Sequence, residues 1–166
     1  MLVASRNPCK CGYYPDRRRC RCSEGEVAKY LGRISRPLLD RIDIYVDAEP
    51  IRYEELVEAS DQEMTTEEIS RHVKRVRSIQ QKRYQGSPFR FNSDLTASAL
   101  KEYCHLGTEE EALMQQIYEK KHLTARSYHR LLKVARTIAD LDESDQISSR
   151  HLSEAVMYRP SEVLGG

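Results

Sequence analysis

The sequence has 166 residues, of which 39% are hydrophobic and 32% are charged. This length and apolar fraction predict one ordinary domain or two small ones with a folded core, and they exclude a disordered protein. The 27 basic and 26 acidic side chains leave a formal net charge of +1, so the overall charge identifies neither a nucleic-acid-binding protein nor an acidic one.

The sequence contains no apolar run of about eighteen residues that could span a bilayer, and it does not begin with a secretory signal. We therefore expect a cytoplasmic protein with no membrane partner. In that reducing compartment, the five cysteines are not expected to form a disulfide framework.

Two short segments are typical of strands. Residues 2–5 are apolar, as in a buried strand, and residues 42–47 alternate apolar and polar side chains, as in a half-exposed one. A parallel strand needs neighbouring strands. We therefore expect further strands upstream of Met1, which would make this chain a fragment of a longer protein.

Four of the five cysteines form two Cys-x-Cys pairs separated by eight residues: Cys9, Cys11, Cys20 and Cys22. Alternate residues of an extended chain project to the same side, so each arm can present two thiolates. Residues 12–16 supply a turn between the arms, and four converging thiolates are typical of structural Zn²⁺. The single-residue spacing is less specific than Cys-x-x-Cys, so a reduced loop that binds metal weakly and a redox role stay open. Cys104 is expected to be a core residue.

Helical patterns cover most of the remaining chain. They predict helices around 27–31, over 53–58, from Thr65 to near Gly86, and over 96–104, 109–121, 124–141 and 149–158. Capping residues support four of these starts: Thr65, Thr108, Thr124 and Ser148. In the long helix after Thr65, the spacing of Ile69, Val73 and Val76 predicts a buried stripe.

Three segments in this order resemble magnesium-chelatase-like AAA+ ATPases of bacteria. They are LVASRNPCKCG at 2–12, LGRISRPLLDRID at 31–43 and TARSYHRLLKVARTIADL at 124–141. The resemblance implies a mainly α chain: the end of an AAA+ α/β core with a cysteine-rich insert (1–50), a helical connector (51–90), a helical lid (91–160) and a tail (161–166). Arg6, Lys10 and Arg36 stand where the family usually has Met, Pro and Gly.

The resemblance also implies roles for three polar residues. Asn7 matches the first sensor, a polar residue that contacts the terminal phosphate or the attacking water. Arg41 matches the arginine finger, which stabilises phosphoryl charge in the adjacent subunit's site. Arg126 matches the second sensor, at the first turn of a lid helix.

Each role has an alternative in the residues themselves. Asn7 precedes a proline and could start a turn, Arg41 could form a surface ion pair with Asp40 or Asp43, and Arg126 could be an exposed helix residue. Three further arginines compete for the roles given to Arg41 and Arg126: Arg33, Arg36 and Arg130.

No Gly-x-x-x-x-Gly-Lys-Ser/Thr segment occurs in the sequence, and no apolar run ends in acidic metal-binding residues. We expect this chain not to hydrolyse ATP alone. ATP and Mg²⁺ are the cofactors that the resemblance implies for the full-length protein. The implied partners are the protein's own N-terminal ATPase core and the neighbouring subunits of a homo-oligomeric ring, which we expect to be a hexamer.

Basic residues follow one face of the helix after Thr65, opposite its apolar stripe: Arg71, Lys74, Arg75 and Lys82. They could contact a nucleic-acid backbone, or they could form a solvated face against the acidic segment 54–68. Three functions remain: a regulatory and oligomerisation portion of an ATP-driven DNA translocase or helicase ring, a chelatase subunit that helps insert magnesium into porphyrin, and a free-standing zinc and nucleic-acid-binding module.

Overall fold

The computed structural model of the chain describes residues 2–48, 50, 51, 53 and 64–160. Its helices, in chain order, are α1 (Glu24–Leu31), α2 (Arg36–Leu39), α3 (Thr66–Arg83), α4 (Ala97–Tyr103), α5 (Thr108–Lys120), α6 (Ala125–Leu141) and α7 (Ser149–Met157). A 3₁₀ turn at Asn92–Asp94 precedes α4. No strand occurs in the described part of the chain, so the mainly α fold class is confirmed. Within the same residues, no helix has the length and apolarity needed to cross a membrane.

The chain divides into two compact units, Met1–Ile42 with Pro160–Gly166 and Asp43–Arg159. The first unit contains the cysteine arms, α1 and α2. Helix α1 begins at a capping box in which Ser23 and Glu26 satisfy each other's backbone N–H groups. Val27 and Leu31 of α1 are buried beneath the cysteine arms.

The two strand predictions are wrong for the described residues. Leu2 and Val3 are 80% and 82% exposed, and Ile44 and Val46 are also exposed. A strand exists only when its N–H and C=O groups pair with a neighbour. In segment 42–47, the Tyr45 N–H donates to the Tyr158 carbonyl at 3.0 Å, but the segment forms no ladder with a strand in the described part of the chain.

The second unit is a helical bundle built around α6. Leu131, Ala135 and Ala139 of α6 and Leu152 of α7 are fully buried, and α6 also packs against α3 and α4. Cys104 is buried in the same core, as the sequence predicts.

The predicted caps of this bundle are confirmed at three helices. Thr65 accepts the Glu68 N–H, Thr124 accepts the Ser127 N–H, and Ser148 is the N-cap of α7. At α5 the N-cap is Gly107, and Thr108 is the first helical residue.

A buried carboxylate connects three parts of the bundle. Asp140 of α6 is fully buried and accepts hydrogen bonds from Arg83 and Gln80 of α3, from Asn92 of the 3₁₀ turn, and from Arg136 one helical turn away. The Arg83 contact is bidentate, and the Asn92 bond is 2.8 Å long. All four donors are therefore fixed by one side chain.

Two of the partners of Asp140, Arg136 and Asn92, form further hydrogen bonds. Arg136 also donates to the carbonyls of Ser144 and Asp145, which lie in the loop between α6 and α7. The Tyr84 hydroxyl donates to Asn92 Oδ1 at 2.7 Å, and burial raises the pKa of Tyr84 to about 12, so the phenol stays protonated as a donor.

The predicted buried stripe of α3 is wrong for its first half. Ile69 and Val73 are 51% and 43% exposed, whereas Val76 is half-buried and Gln80 is buried. All four residues share one face of the helix, so only the C-terminal half of that face reaches the bundle core. The helix predicted at 53–58 lies outside the described residues, apart from Tyr53.

We predict that Asp140→Ala destabilises the chain by about 3–5 kcal/mol, because the substitution leaves the buried guanidinium of Arg136 and the partly buried guanidinium of Arg83 without their counter-charge. Urea unfolding followed by circular dichroism measures this loss. Glu143→Ala is the matched control, since it removes a carboxylate whose ion pair with Arg75 is exposed, and such pairs contribute about 1 kcal/mol or less. Equal losses in the two variants would show that the buried network is not the main stabilising feature.

Candidate functional site

The four predicted cysteines come together in the first unit. The Sγ atoms of Cys9 and Cys11 are 3.3 Å apart, those of Cys9 and Cys20 are 3.8 Å apart, and those of Cys11 and Cys20 are 3.6 Å apart. With Cys22 included, all four lie within 4.8 Å of one another. Sulfurs at about 2.3 Å from a tetrahedral Zn²⁺ are about 3.8 Å apart, so the cluster has the dimensions of a four-thiolate metal site.

Local turns bring the two arms together. Gly12 has a φ of +83°, and its N–H donates to the Cys9 carbonyl at 3.1 Å, which closes the first arm. The Cys20 N–H donates to the Asp16 carbonyl at 2.8 Å and closes the second. All five cysteines of the chain are free thiols, and none forms a disulfide.

The surroundings of the cluster shift the pKa values of two of its thiols in opposite directions. Backbone N–H groups of Tyr13 and Arg21 lower the pKa of Cys11 to about 6, whereas burial raises the pKa of Cys20 to about 11. Backbone donors aimed at sulfur stabilise thiolate, the form that binds metal. The Cys20 thiol, by contrast, needs the charge of a cation to ionise in its buried position.

Two of the predicted nucleotide-contacting residues also lie in the first unit. Asn7 is exposed, and its side-chain amide lies 3.9 Å from the position that a Cβ at Gly12 would occupy. Arg41 is exposed in the turn after α2, where its N–H donates to the Leu38 carbonyl at 3.0 Å. Of the competing arginines, Arg33 lies over the Tyr30 ring at 5.8 Å, and the Arg36 side chain is outside the described part.

Arg126 lies on a cationic pocket of the second unit. The pocket has a volume of about 340 Å³, with Leu95, Ala97 and Leu100 as its apolar lining. Its polar lining comes from one face of α6: Arg126, His129, Arg130 and Lys133. The helix begins at Ala125, so its N-terminal dipole adds to the positive charge of Arg126 in the first turn.

Two of these cations are already held in place. Arg130 Nη1 lies 2.5 Å from Asp43 Oδ1, and Lys133 Nζ donates to the Ser93 carbonyl at 2.8 Å. Burial lowers the pKa of Lys133, and the neighbouring Arg130 lowers it further. Both effects destabilise the protonated form of Lys133, and an anion bound in the pocket would stabilise it.

Sequence reasoning named Arg126 and Arg130 but missed His129 and Lys133. The missed signal is their spacing, because residues 126, 129, 130 and 133 fall at i, i+3, i+4 and i+7 of one helix and therefore share a face. That face borders the pocket, whereas Leu131 and Ala135 face the core.

The basic face of α3 is exposed but partly neutralised. Arg71 lies 3.9 Å from Glu68, and Arg75 lies 2.6 Å from Glu143. Lys74 and Lys82 are exposed as well. The pairing of Arg71 agrees with the alternative that this face meets acidic residues near the start of the helix.

Comparison with known sequences identifies the family. The profile described as "Magnesium chelatase, subunit ChlI C-terminal" matches residues 63–159, and the profile described as "Magnesium chelatase, subunit ChlI" matches residues 1–56. The chain belongs to the magnesium chelatase family. The predicted relationship to the AAA+-type ATPases of this family is thereby confirmed.

Several curated proteins are similar to this magnesium chelatase family member. It is 34% identical over 158 residues to "Competence protein ComM" of Haemophilus influenzae, and 34% identical over 161 residues to "Uncharacterized protein YifB" of Escherichia coli. Each alignment covers 95% of the chain but 30% of the relative. The chain therefore spans less than a third of the length of these relatives.

Proposed function

We propose that this chain is the nucleotide-sensing and subunit-contacting portion of an AAA+ ATPase, in which the α6 pocket responds to the terminal phosphate of ATP. The observation that carries the proposal is the alignment of Arg126, His129, Arg130 and Lys133 along one pocket at the start of a helix. Helix N-termini and clustered cations both favour phosphate.

The chemistry of the pocket suits a highly charged anion better than an apolar ligand. Its cations lie within about two turns of one rigid helix that is anchored in the core by Leu131, Ala135 and Asp140. An anion bound by Arg126 would therefore act on the whole lid, because the pocket face and the core face belong to the same helix. A sensor needs this coupling, because binding at the pocket has to be transmitted to the rest of the lid.

Arg41 and Asn7 complete the proposed machinery from the first unit. Both are exposed and lie within the part matched by the magnesium chelatase profile. We assign Arg41 to the neighbouring subunit's phosphoryl group and Asn7 to the subunit's own nucleotide, because a guanidinium stabilises transferring charge and an amide can both donate and accept. The roles require ATP and Mg²⁺ bound elsewhere in the full-length protein, and subunits arranged as a ring.

We further propose that the ring acts on DNA. The support is the exposed basic face of α3 and the match, over 95% of this chain, to a relative named as a competence protein. The description of the matching family favours the alternative, a subunit of a magnesium-inserting chelatase. Stimulation of ATPase activity by DNA distinguishes a DNA-acting ring from a chelatase subunit, since we do not expect DNA to stimulate the ATPase of a chelatase.

The cysteine cluster fits a structural Zn²⁺. Cys9, Cys11, Cys20 and Cys22 supply four sulfurs at suitable separations, and Cys9 and Cys20 also pack against α1. Bound zinc would link the two arms to each other and fix the segment that carries Asn7. A closed set of four protein ligands leaves no open position, which is typical of a structural site rather than a catalytic one.

We predict that Arg126→Ala in the full-length protein weakens ATP binding by about 10- to 100-fold, because a charge-assisted hydrogen bond to phosphate contributes about 1.5–3 kcal/mol. Titration with a fluorescent ATP analogue measures this change, and ADP should be affected less. Arg150→Ala is the matched control, since Arg150 is an exposed arginine on α7 outside the pocket. An unchanged affinity for ATP in Arg126→Ala would remove Arg126 from the site.

We predict that Arg41→Ala lowers the ATPase turnover of the full-length protein by about a thousandfold, as loss of an arginine finger does in related phosphoryl-transfer systems. Mixing this variant with a subunit disabled in its phosphate-binding loop should partly restore turnover, because each supplies what the other lacks. Arg33→Ala should retain activity. If Arg33→Ala abolishes turnover and Arg41→Ala does not, the finger is Arg33.

We predict that the purified chain contains about one equivalent of zinc, and that Cys11→Ser and Cys20→Ser each lose it, because a structural site needs all of its ligands. Inductively coupled plasma mass spectrometry measures the metal. Cys104→Ala removes the fifth cysteine, which lies in the other unit, and should keep its zinc. Less than about one-tenth equivalent in the unaltered chain would contradict stable binding.

A further inference from the structure

The cysteine arms carry a concentration of positive charge that neither nucleotide sensing nor metal binding uses. Residues 6–22 contain six basic side chains and one acidic side chain, Asp16. The rest of the chain has more acidic than basic residues, since the whole chain is formally +1. A thiolate site would be offset by two or three of these cations, so the arms have charge in excess of that need.

Some of these cations are already committed to contacts within the unit. Arg6 donates to the Leu31 carbonyl at 3.4 Å, and Arg17 pairs with Glu24 at 3.2 Å. Arg18, Arg19 and Arg21 are exposed, and no carboxylate among the described residues forms an ion pair with any of them. Three guanidinium groups within four positions therefore face solvent.

An aromatic side chain accompanies these arginines. Tyr13 is 43% exposed, and the guanidinium carbon of Arg19 lies 4.1 Å from the centre of its ring. On the same loop, Arg17 lies 5.1 Å from the centre of the Tyr14 ring. A ring with an arginine beside it offers a stacking surface for a base and a cation for the adjoining phosphate.

We propose that this surface, which we define as the arm surface (Tyr13, Arg18, Arg19 and Arg21), binds single-stranded nucleic acid. Duplex DNA hides the faces of its bases, so an exposed tyrosine contributes little to duplex binding, whereas unstacked bases can lie on it. Arginines without carboxylate partners contact phosphates in a way that does not depend on sequence.

The arm surface suits this ligand better than the basic face of α3. Two of the four cations of this basic face already face carboxylates, Arg71 with Glu68 and Arg75 with Glu143. No phenylalanine, tyrosine or tryptophan occurs between Thr66 and Arg83. The inference deepens the DNA-acting part of the proposed function and rests on it, but it concerns a surface of the first unit, whereas the α6 pocket belongs to the second.

The test is fluorescence anisotropy of the purified chain with labelled oligothymidylate of about 20 nucleotides, which exceeds the site size of a small binding module. No ATP is added, so a failure here leaves the nucleotide-sensing proposal standing. The triple variant Arg18→Ala, Arg19→Ala, Arg21→Ala should weaken binding by about tenfold or more at 50 mM salt and reduce the slope of log K against log salt by about 2.

Substitutions of Tyr13 test whether its ring stacks on a base. Tyr13→Ala should weaken binding by about fivefold or more, and Tyr13→Phe should restore it, because the ring and not the hydroxyl stacks on the base. The corresponding triple lysine variant should keep most of the affinity, since it keeps the charge. Its binding, with circular dichroism of all variants, separates loss of contacts from loss of folding.

A matched variant removes the same charge from α4 and from the end of α5 in the other unit: Lys101→Ala, Lys120→Ala, Lys121→Ala. Its affinity should change by less than about twofold, because these exposed lysines belong neither to the arm surface nor to the basic face of α3. The proposal is overturned if this variant loses as much affinity as the arm triple variant. It is also overturned if the unaltered chain prefers duplex to single-stranded DNA, or binds neither.

Discussion

The carboxylate of Asp140 organises the larger unit. It lies on α6 without access to water and receives donors from α3, from the 3₁₀ turn and from Arg136 of its own helix. Arg136 in turn holds the loop that leads to α7. A buried charge tolerates only a fully satisfied environment, so one side chain fixes the relative positions of three elements and a loop.

Helix α6 joins this buried network to the pocket. Its core face carries Leu131, Ala135 and Asp140, and its pocket face carries Arg126 and Lys133. The two faces cannot move independently, because they are parts of one helix of 17 residues. The rigidity created by Asp140 is therefore what would let a ligand at Arg126 reposition the lid as a body rather than disturb a single side chain.

Local signals predicted the helices well, whereas long-range pairing was beyond them. Thr65 and Thr124 cap their helices as expected, since a cap depends on neighbours three residues away. The partnership of Arg83 with Asp140 spans 57 positions, and nothing in the spacing of either residue indicates it. The predicted burial of Ile69 is wrong for the same reason. Periodicity identifies the apolar face of a helix, but it does not show whether another element covers that face. The cysteines converge as predicted, although the segments predicted as strands form no ladder in the described part of the chain.

The unequal burial of α3 implies unequal local stability along one continuous helix. Its C-terminal half is held by Gln80 and Arg83 within the Asp140 network, whereas its N-terminal half depends on the Thr65 capping box and leaves Ile69 and Val73 in contact with water. Helical turns without tertiary packing are marginal. Amide hydrogens near Ile69 should thus exchange through local fraying, and those near Gln80 only when the whole unit opens.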